Sequence, residues 1–115
     1  MVNLFDELEL KGGRLFNTNS IIWLDVDIKH QLLNFIEDIA RIEFEQQNAI
    51  IDIGYYPTDF EVTDHHYFCV RVIVSENWDL PYYEAKIKSI ENLKNEIEIS
   101  ISMVTNFGTG ISSFQ

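Results

Sequence analysis

The segment from residue 27 to residue 48 constrains the fold most, because its apolar residues recur at the spacing of an amphipathic helix. At about 100° per residue, one face collects the apolar side chains of Ile28, Leu32, Phe35, Ile36, Ile39, Ala40 and Ile42. Asp25 or Asp27 can cap the first turn. Such a helix is about 33 Å long at about 1.5 Å per residue, so it must cross the whole core.

Strand patterns account for most of the remaining chain. Residues 21–26 and 49–56 are rich in branched and aromatic side chains, and residues 96–104 alternate apolar with polar positions. Residues 66–75 are apolar on both faces, which predicts a central position in a sheet.

Two further segments fit more than one structure. Residues 82–94 are compatible with a helix, but a strand followed by a turn gives a regular meander spacing, which favours the strand. Residues 3–11 fit a short helix capped by Asn3, or the first arm of a hairpin that turns at Gly12 and Gly13. The helix is slightly favoured.

Together these elements predict an α+β fold, in which one long amphipathic helix packs across a curved antiparallel sheet of four to six strands. With 115 residues the chain is expected to form a single domain, residues 1–115, with a loosely held tail at residues 106–115. Glu43 falls inside the apolar arc of the helix, so we expect the helix to loosen there or Glu43 to have a partner.

The acidic balance restricts the partners of such a domain. The chain has 19 acidic and 8 basic side chains, a formal net charge of −11, and its basic residues are scattered. Direct binding to nucleic acid or to an anionic membrane surface is disfavoured, because both need clustered positive charge. The apolar runs are far shorter than the ~20 residues of a membrane span, and the single cysteine, Cys69, fits a reducing, cytoplasmic location.

Acidic and aromatic residues concentrate in one part of the chain. From Asp52 to Glu84 there are seven acidic residues, one basic residue and eight of the 15 aromatic residues. Trp and Tyr dominate the hot spots of protein interfaces, and carboxylates add charge complementarity towards a basic protein. The candidate partner-binding residues are Tyr55, Tyr56, Asp59, Glu61, Asp64, Glu76, Trp78, Asp79, Tyr82, Tyr83 and Glu84. Trp78 and Tyr83 also fit a role as core residues at one end of the sheet.

Candidate metal sites are weaker. Asp64, His65 and His66 are metal-capable side chains, but neighbours on a strand point to opposite faces and a zinc site needs at least three protein ligands. The carboxylates of Asp25 and Asp27 are explained by helix capping. We therefore expect neither a metal ion nor a cofactor.

Candidate catalytic groups are equally weak. Glu84 and Lys86 have the E-x-K spacing of metal-dependent nucleases, yet that spacing is common and a chain at −11 repels a polyanion. Cys69 is too close to His65 and His66 on one strand to form a relaxed thiol–imidazole pair, so a buried thiol is favoured. We expect no catalytic residues.

Charge and aromatic content together favour a binding function. We expect an acidic inhibitor, most specifically an immunity protein that neutralises a basic, nuclease-type toxin by covering its cationic active cleft, as in a toxin–antitoxin pair. The alternatives are a small metal-binding or hydrolytic enzyme that uses Asp and His clusters, and a small-ligand-binding domain with Glu43 as the polar group of a pocket between helix and sheet. No oligomeric state is predicted from the sequence.

Overall fold

The computed structural model describes four stretches of the chain, residues 1–17, 21–31, 38–56 and 67–107. In these stretches five antiparallel strands form one sheet whose spatial order equals the sequence order. The strands are Arg14–Asn17 (β1), Asp38–Phe44 (β2), Ala49–Tyr56 (β3), Tyr67–Val74 (β4) and Tyr83–Ile87 (β5), and they are followed by the helix Ile90–Thr105 (α1). Two short 3-10 helices, Leu4–Glu7 and Ile28–His30, lie before β1 and before β2.

The predicted α+β class, one long helix on an antiparallel sheet, is confirmed. Helix α1 packs against β3, β4 and β5, and the sheet is open, with β1 and β5 at its edges. Strand β4 has a hydrogen-bonded neighbour on each side, which agrees with the interior position predicted for residues 66–75. No helix in the described part of the chain is long and apolar enough to cross a membrane.

The predicted helix at residues 27–48 is wrong. Ile28–His30 forms a single 3-10 turn, and Asp38–Phe44 forms strand β2. Residues 32–37, the middle of the predicted helix, lie outside the described residues. The long helix of the fold is therefore α1, at the other end of the chain.

An irregularity in β2 explains the error. The register with β3 shifts between Asp38 and Ala40, as at a β-bulge. Ile39 and Ala40 are both buried as a result, and Ile42 follows on the same side. Two adjacent buried residues interrupt the alternation of a strand and imitate the spacing of a helix.

The predicted strand at residues 96–104 is also wrong, because these residues belong to α1. The buried positions of α1 follow helical spacing and are Ile90, Leu93, Ile97, Ser100, Ile101 and Val104. Ile99, which alternation would place inward, is exposed. The Ser89 Oγ accepts a hydrogen bond from Asn92 N at 3.1 Å and so caps the helix. Ser89 is thus a sequence signal that favours the helix over the strand.

Two further strand predictions agree with the structure, and one does not. Residues 49–56 form β3, and the first part of segment 82–94 forms β5. Residues 21–26 do not form a regular strand; Trp23 makes an isolated bridge with Asn3.

The N-terminal prediction is partly confirmed. Asn3 caps a short helix, since its side chain accepts a hydrogen bond from Phe5 N at 3.4 Å. That 3-10 helix ends at Glu7, well before Gly12, and the chain then enters β1 at Arg14. At the other terminus, residues 108–115 of the predicted tail lie outside the described residues.

The core lies between α1 and the inner face of the sheet. Residues paired directly across β2, β3 and β4 point to this side and are buried: Ile42, Ile51, Ile53, Phe68, Val70 and Val72. Leu4, Phe5 and Ile22 belong to the same cluster. Gln31 is buried too, and its side-chain amide is satisfied by backbone groups of Trp23 and Val26 at 2.8 to 2.9 Å.

Candidate protein-binding surface

An ordered loop, the 76–82 loop, connects β4 to β5. Ser75 and Glu76 have left-handed backbone angles, φ 54° and 60°, which turn the chain sharply after β4. Ser75 N donates to Asn48 O at 2.9 Å, and Tyr82 N donates to a β4 carbonyl at 2.8 Å. These bonds hold both ends of the loop against the sheet.

The 76–82 loop exposes three large apolar side chains within five residues. The exposed fractions are 42% for Trp78, 73% for Leu80 and 59% for Tyr82. Glu76 and Asp79 are exposed between and beside them, and the loop contains no basic residue. Single exposed apolar residues are ordinary, but a group of them rimmed by charge is typical of an interaction site.

Aromatic contacts fix the loop on both sides of the sheet. The Arg41 guanidinium lies 5.6 Å from the centroid of the Trp78 ring, and the Tyr82 ring meets Phe107 edge-on at 5.0 Å. Arg41 projects from the face opposite α1, whereas Phe107 belongs to the core cluster. The loop therefore wraps around one end of the sheet, and Leu80 lies between its two aromatic anchors.

The outer face of the sheet, on the side opposite α1, has a row of alternating charges. Strand register pairs Arg41 with Asp52, Asp52 with Arg71, and Arg71 with Glu84, from β2 across to β5. We call these four residues the charge row. Opposite charges directly across neighbouring strands contribute about 0.2–1 kcal/mol per pair.

Arg71 donates hydrogen bonds to two side chains of the outer face, Glu84 and Tyr56. Its Nε donates to Glu84 Oε2 at 2.8 Å, and its Nη1 donates to the Tyr56 hydroxyl at 3.3 Å. The hydrogen bond that Arg71 donates to Glu84 is the main cause that raises the pKa of Arg71, so the guanidinium stays charged. Tyr56 stacks on Tyr67 at 5.7 Å between ring centroids, and Lys86 Nζ lies 5.2 Å from the Tyr67 ring.

Asp52 is the carboxylate of the charge row whose solvation is most reduced by the fold. Burial is the main cause that raises its pKa, and the negative charge of Asp38 adds to the effect. Arg71 and Arg41 act in the opposite direction without cancelling it. A shallow cavity of about 360 Å³ lies beside Asp52 and is lined by Phe16, Asn17, Asp38, Ala40, Arg41, Glu43 and Asp52.

The expectation for Glu43 is resolved in favour of a partner. Glu43 lies on the outer face of β2, away from α1, and its Oε2 is 3.6 Å from Arg41 Nη1. The pocket between helix and sheet with Glu43 as its polar group is therefore wrong.

Taken as a whole, the outer face is electrically neutral. The described strands contribute four acidic and four basic side chains to it, Asp38, Glu43, Asp52, Glu84, Arg14, Arg41, Arg71 and Lys86. All three arginines of the chain are among them. The formal charge of −11 therefore belongs to other surfaces and to residues outside the described part of the chain.

The predicted partner-binding residues separate into groups. Glu76, Trp78, Asp79 and Tyr82 lie together in the 76–82 loop. Tyr56 and Glu84 lie on the outer face. Asp59, Glu61 and Asp64 lie outside the described residues.

Tyr55 and Tyr83 point to the inner side of the sheet. Tyr55 is buried, with its ring centroid 5.2 Å from that of Phe68. Tyr83 is half-buried, and its hydroxyl donates to Glu96 Oε2 of α1 at 2.7 Å. Of the two aromatic residues with a core alternative, Tyr83 packs against the core and Trp78 lies at the surface.

Sequence reasoning missed Arg41, Asp52 and Arg71 as members of one surface. They are far apart in the sequence, and only the strand register makes them neighbours. Leu80 was also missed, although its place inside an acidic, aromatic segment is a signal that could have found it.

The described residues include some, but not all, of the candidate metal and catalytic residues. They contain no group of three or more His, Cys, Asp or Glu side chains suited to a metal ion, and Asp64, His65 and His66 lie outside them. Asp52 and Glu84 do not face each other directly, because Arg71 lies between them in the strand register. The Arg71 guanidinium therefore occupies the position in which a cation bound by both carboxylates would lie.

Cys69 is buried on β4, as expected. Burial is the main cause that raises the pKa of its thiol, so the thiolate needed for nucleophilic attack is disfavoured.

Comparison with protein-family models, with curated proteins and with solved structures finds no match to this chain. Its function is therefore argued from its surfaces. Two of them are distinctive: an acidic loop with exposed apolar side chains, and a neutral sheet face with ordered charges.

Proposed function

We propose that this protein is a binding domain for a basic protein, and that the 76–82 loop is the centre of its interface. The observation that supports this most is the exposure of Trp78, Leu80 and Tyr82 beside Glu76 and Asp79, with no base in the loop. Aromatic and aliphatic side chains in such a group can enter pockets of a partner, while the carboxylates meet its cations.

The fixed conformation of the 76–82 loop also favours binding. Binding costs less when the contact residues already have their bound conformation. Arg41 holds the Trp78 ring on one side, and Phe107 holds the Tyr82 ring on the other. The two anchors are thus positioned while Leu80 and the carboxylates stay accessible.

The net charge of −11 supports the choice of a basic partner. A strongly negative protein attracts a cationic one over several ångströms, and such steering raises association rates by about 10–10³-fold. The same charge opposes non-specific contact with nucleic acid.

In its finer form, the proposal is an immunity protein for a basic, nuclease-type toxin. Such a toxin has a cationic cleft that binds phosphates. Glu76 and Asp79 would occupy the positions of those phosphates, and the apolar side chains would seal the rim of the cleft. Inhibition would then result from steric and electrostatic exclusion of the nucleic acid.

The first experiment is affinity capture from the native source with the immobilised protein, followed by identification and titration of the retained protein. We expect a basic protein whose affinity falls steeply as salt rises, because salt screens exposed charges. The finer proposal further requires that the captured protein cleaves nucleic acid and loses that activity in the complex.

Matched variants localise the interface. Trp78→Ala with Leu80→Ala should weaken the complex by at least about 30-fold, as expected for hot-spot residues. Ile99→Ala, which truncates an exposed apolar side chain on α1, is the control and should leave affinity unchanged.

A second pair of variants tests the carboxylates. Glu76→Gln with Asp79→Asn should slow association, whereas the exposed pair Glu7→Gln with Glu9→Gln should have a much smaller effect. Binding that ignores salt, or loop variants that behave like their controls, would refute the proposed interface.

A further inference from the structure

The charges of the charge row alternate in sign, so the row is complementary to a second copy of itself that runs in the opposite direction. From β2 to β5 it reads Arg41, Asp52, Arg71, Glu84, which is plus, minus, plus, minus. Read from β5 to β2 the signs are inverted at every position. Two copies of the row, laid face to face with one reversed, therefore place opposite charges against each other throughout.

A two-fold axis produces this reversal. An axis that runs parallel to the strands, between β3 and β4, exchanges β3 with β4 and β2 with β5. Arg41 then faces Glu84 of a second copy, and Asp52 faces Arg71 of that copy. A symmetric dimer repeats each of these contacts twice.

The neighbouring rows of the outer face obey the same symmetry. In one row Asp38 on β2 and Lys86 on β5 are aligned through Gly54 and Cys69, so the rotation brings Asp38 opposite Lys86 of the second copy. At the next positions of β3 and β4, Tyr56 comes opposite Tyr67 of the second copy. Opposite charges and paired aromatic rings are both favourable contacts.

We propose that the outer face of the sheet binds a second copy of this chain as a two-fold symmetric dimer. The charge complementarity identifies this occupant, because a copy is the one partner whose charges are known to be the reverse of the row. Neutrality of the face also matters: two molecules at −11 repel each other, and this face presents no net charge at the contact.

The side chains of the row can reach such a partner. Arg41 keeps 45% of its side-chain surface exposed, Arg71 keeps 31% and Glu84 keeps 39%. Two sheets packed face to face with their strands nearly aligned leave about 10 Å between them, which long charged side chains fill.

The size of the face predicts a weak dimer. The four strands that face each other, β2 to β5, lie about 4.8 Å apart over about 20 Å of strand length and present roughly 400 Å² per copy. Two such faces reach about 800 Å², which is below the about 1,000 Å² of stable specific complexes and in the range of weak, transient ones. We therefore expect a dissociation constant between about 10 μM and about 1 mM.

The test is sedimentation and light scattering of the purified chain over a concentration series up to about 1 mM, at physiological salt. Concentration-dependent dimerisation is expected. Two single variants should each weaken the dimer by at least about tenfold. Arg41→Glu places a glutamate opposite Glu84 in both symmetric contacts, and Glu84→Lys places a lysine opposite Arg41 in both, so like charges repel.

Mixing the two variants is the decisive step. In a 1:1 mixture Glu at 41 meets Lys at 84 of the other variant, and the native Arg41 and Glu84 meet each other, so a heterodimer should form at near wild-type affinity. Its formation would also show that both variants fold. Glu7→Lys and Lys11→Glu change the charge by the same amount on exposed residues outside the sheet and should dimerise as the wild type does.

A second pair of variants keeps the test valid if substitutions at position 41 or 84 prevent folding. Asp38→Lys and Lys86→Asp test the neighbouring row in the same way, alone and mixed. A wild-type chain that stays monomeric up to about 1 mM overturns the proposal, and so does a dimer that mixed variants do not restore. These measurements use the chain alone, so their outcome is independent of any basic partner bound by the 76–82 loop.

Discussion

The two faces of this sheet are built on different principles. The inner face is apolar and buried against α1 and the N-terminal segment, and its residues are interchangeable in kind. The outer face is charged and aromatic, and its charge pattern depends on which residues the strand register makes neighbours. The comparison teaches that the inner face stabilises the fold by burying apolar side chains, whereas the outer face presents charged side chains in a defined pattern.

The largest expected effect comes from equal truncations on the two faces. Phe68 on β4 is fully buried on the inner face, and Phe16 on β1 keeps 43% of its surface on the outer face. Phe68→Ala should lower the free energy of unfolding by about 3–5 kcal/mol, because it removes apolar contacts and leaves a cavity. Phe16→Ala should cost less than about 1 kcal/mol. Urea denaturation of both variants checks the comparison, and equal losses would contradict it.

The next effect concerns the space beside the inner face. A Cβ at Gly13 would lie 2.6 Å from Ile42 Cγ2 and 2.7 Å from Phe44 Cζ, both in the core. Gly13→Ala should therefore cost about 1–3 kcal/mol through overpacking. Gly12 is the matched control, since a Cβ there meets nothing within 4 Å and only its φ of +96° opposes a side chain. Thermal or urea unfolding should show that Gly12→Ala is the milder change.

The smallest expected effect is the pH dependence of stability that Asp52, on the outer face, causes. Burial raises the pKa of Asp52 above the ordinary value of 3.8 for an aspartate, so the folded state keeps the proton to higher pH than the unfolded state does. Asp52 consequently lowers the free energy of unfolding as pH rises through a window that begins near 3.8. Asp52→Asn should be more stable than the wild type at neutral pH, and the difference should vanish in acid below that window.

This pH experiment needs dilute protein and a control. At low concentration the proposed dimer is dissociated, so the difference reports folding alone. Glu7→Gln, an exposed carboxylate far from the charge row, is the matched change. Parallel stability curves for wild type and Asp52→Asn over the whole pH range would show that Asp52 is fully solvated.

Local patterns predicted part of the fold correctly. The pattern of residues 49–56 identified β3 as a strand, the apolar run of β4 identified an interior strand, and β5 was favoured over a helix. The prediction failed at β2, where Ile39 and Ala40 are buried side by side because of a register shift. It failed again at α1, where isoleucine at alternating positions fits a strand and a helix equally well until the Ser89 cap is considered.

The sequence predicted the exposure of the candidate binding residues only in part. An acidic, aromatic segment is visible along the chain, and Trp78 and Tyr82 are exposed as an interface there requires. Tyr55 and Tyr83 have the same composition around them, yet the alternation of their strands turns them inward. Composition identifies a segment, whereas exposure is decided one residue at a time by the fold.

By itself the sequence determined the class of the fold, the negative charge and the acidic aromatic segment, because these follow from residue types and their local spacing. The tertiary structure alone decided which segment is the long helix and which charges are neighbours. The physical reason is that strand register joins residues such as Arg41, Asp52 and Arg71 through backbone hydrogen bonds, which leave no trace in local spacing.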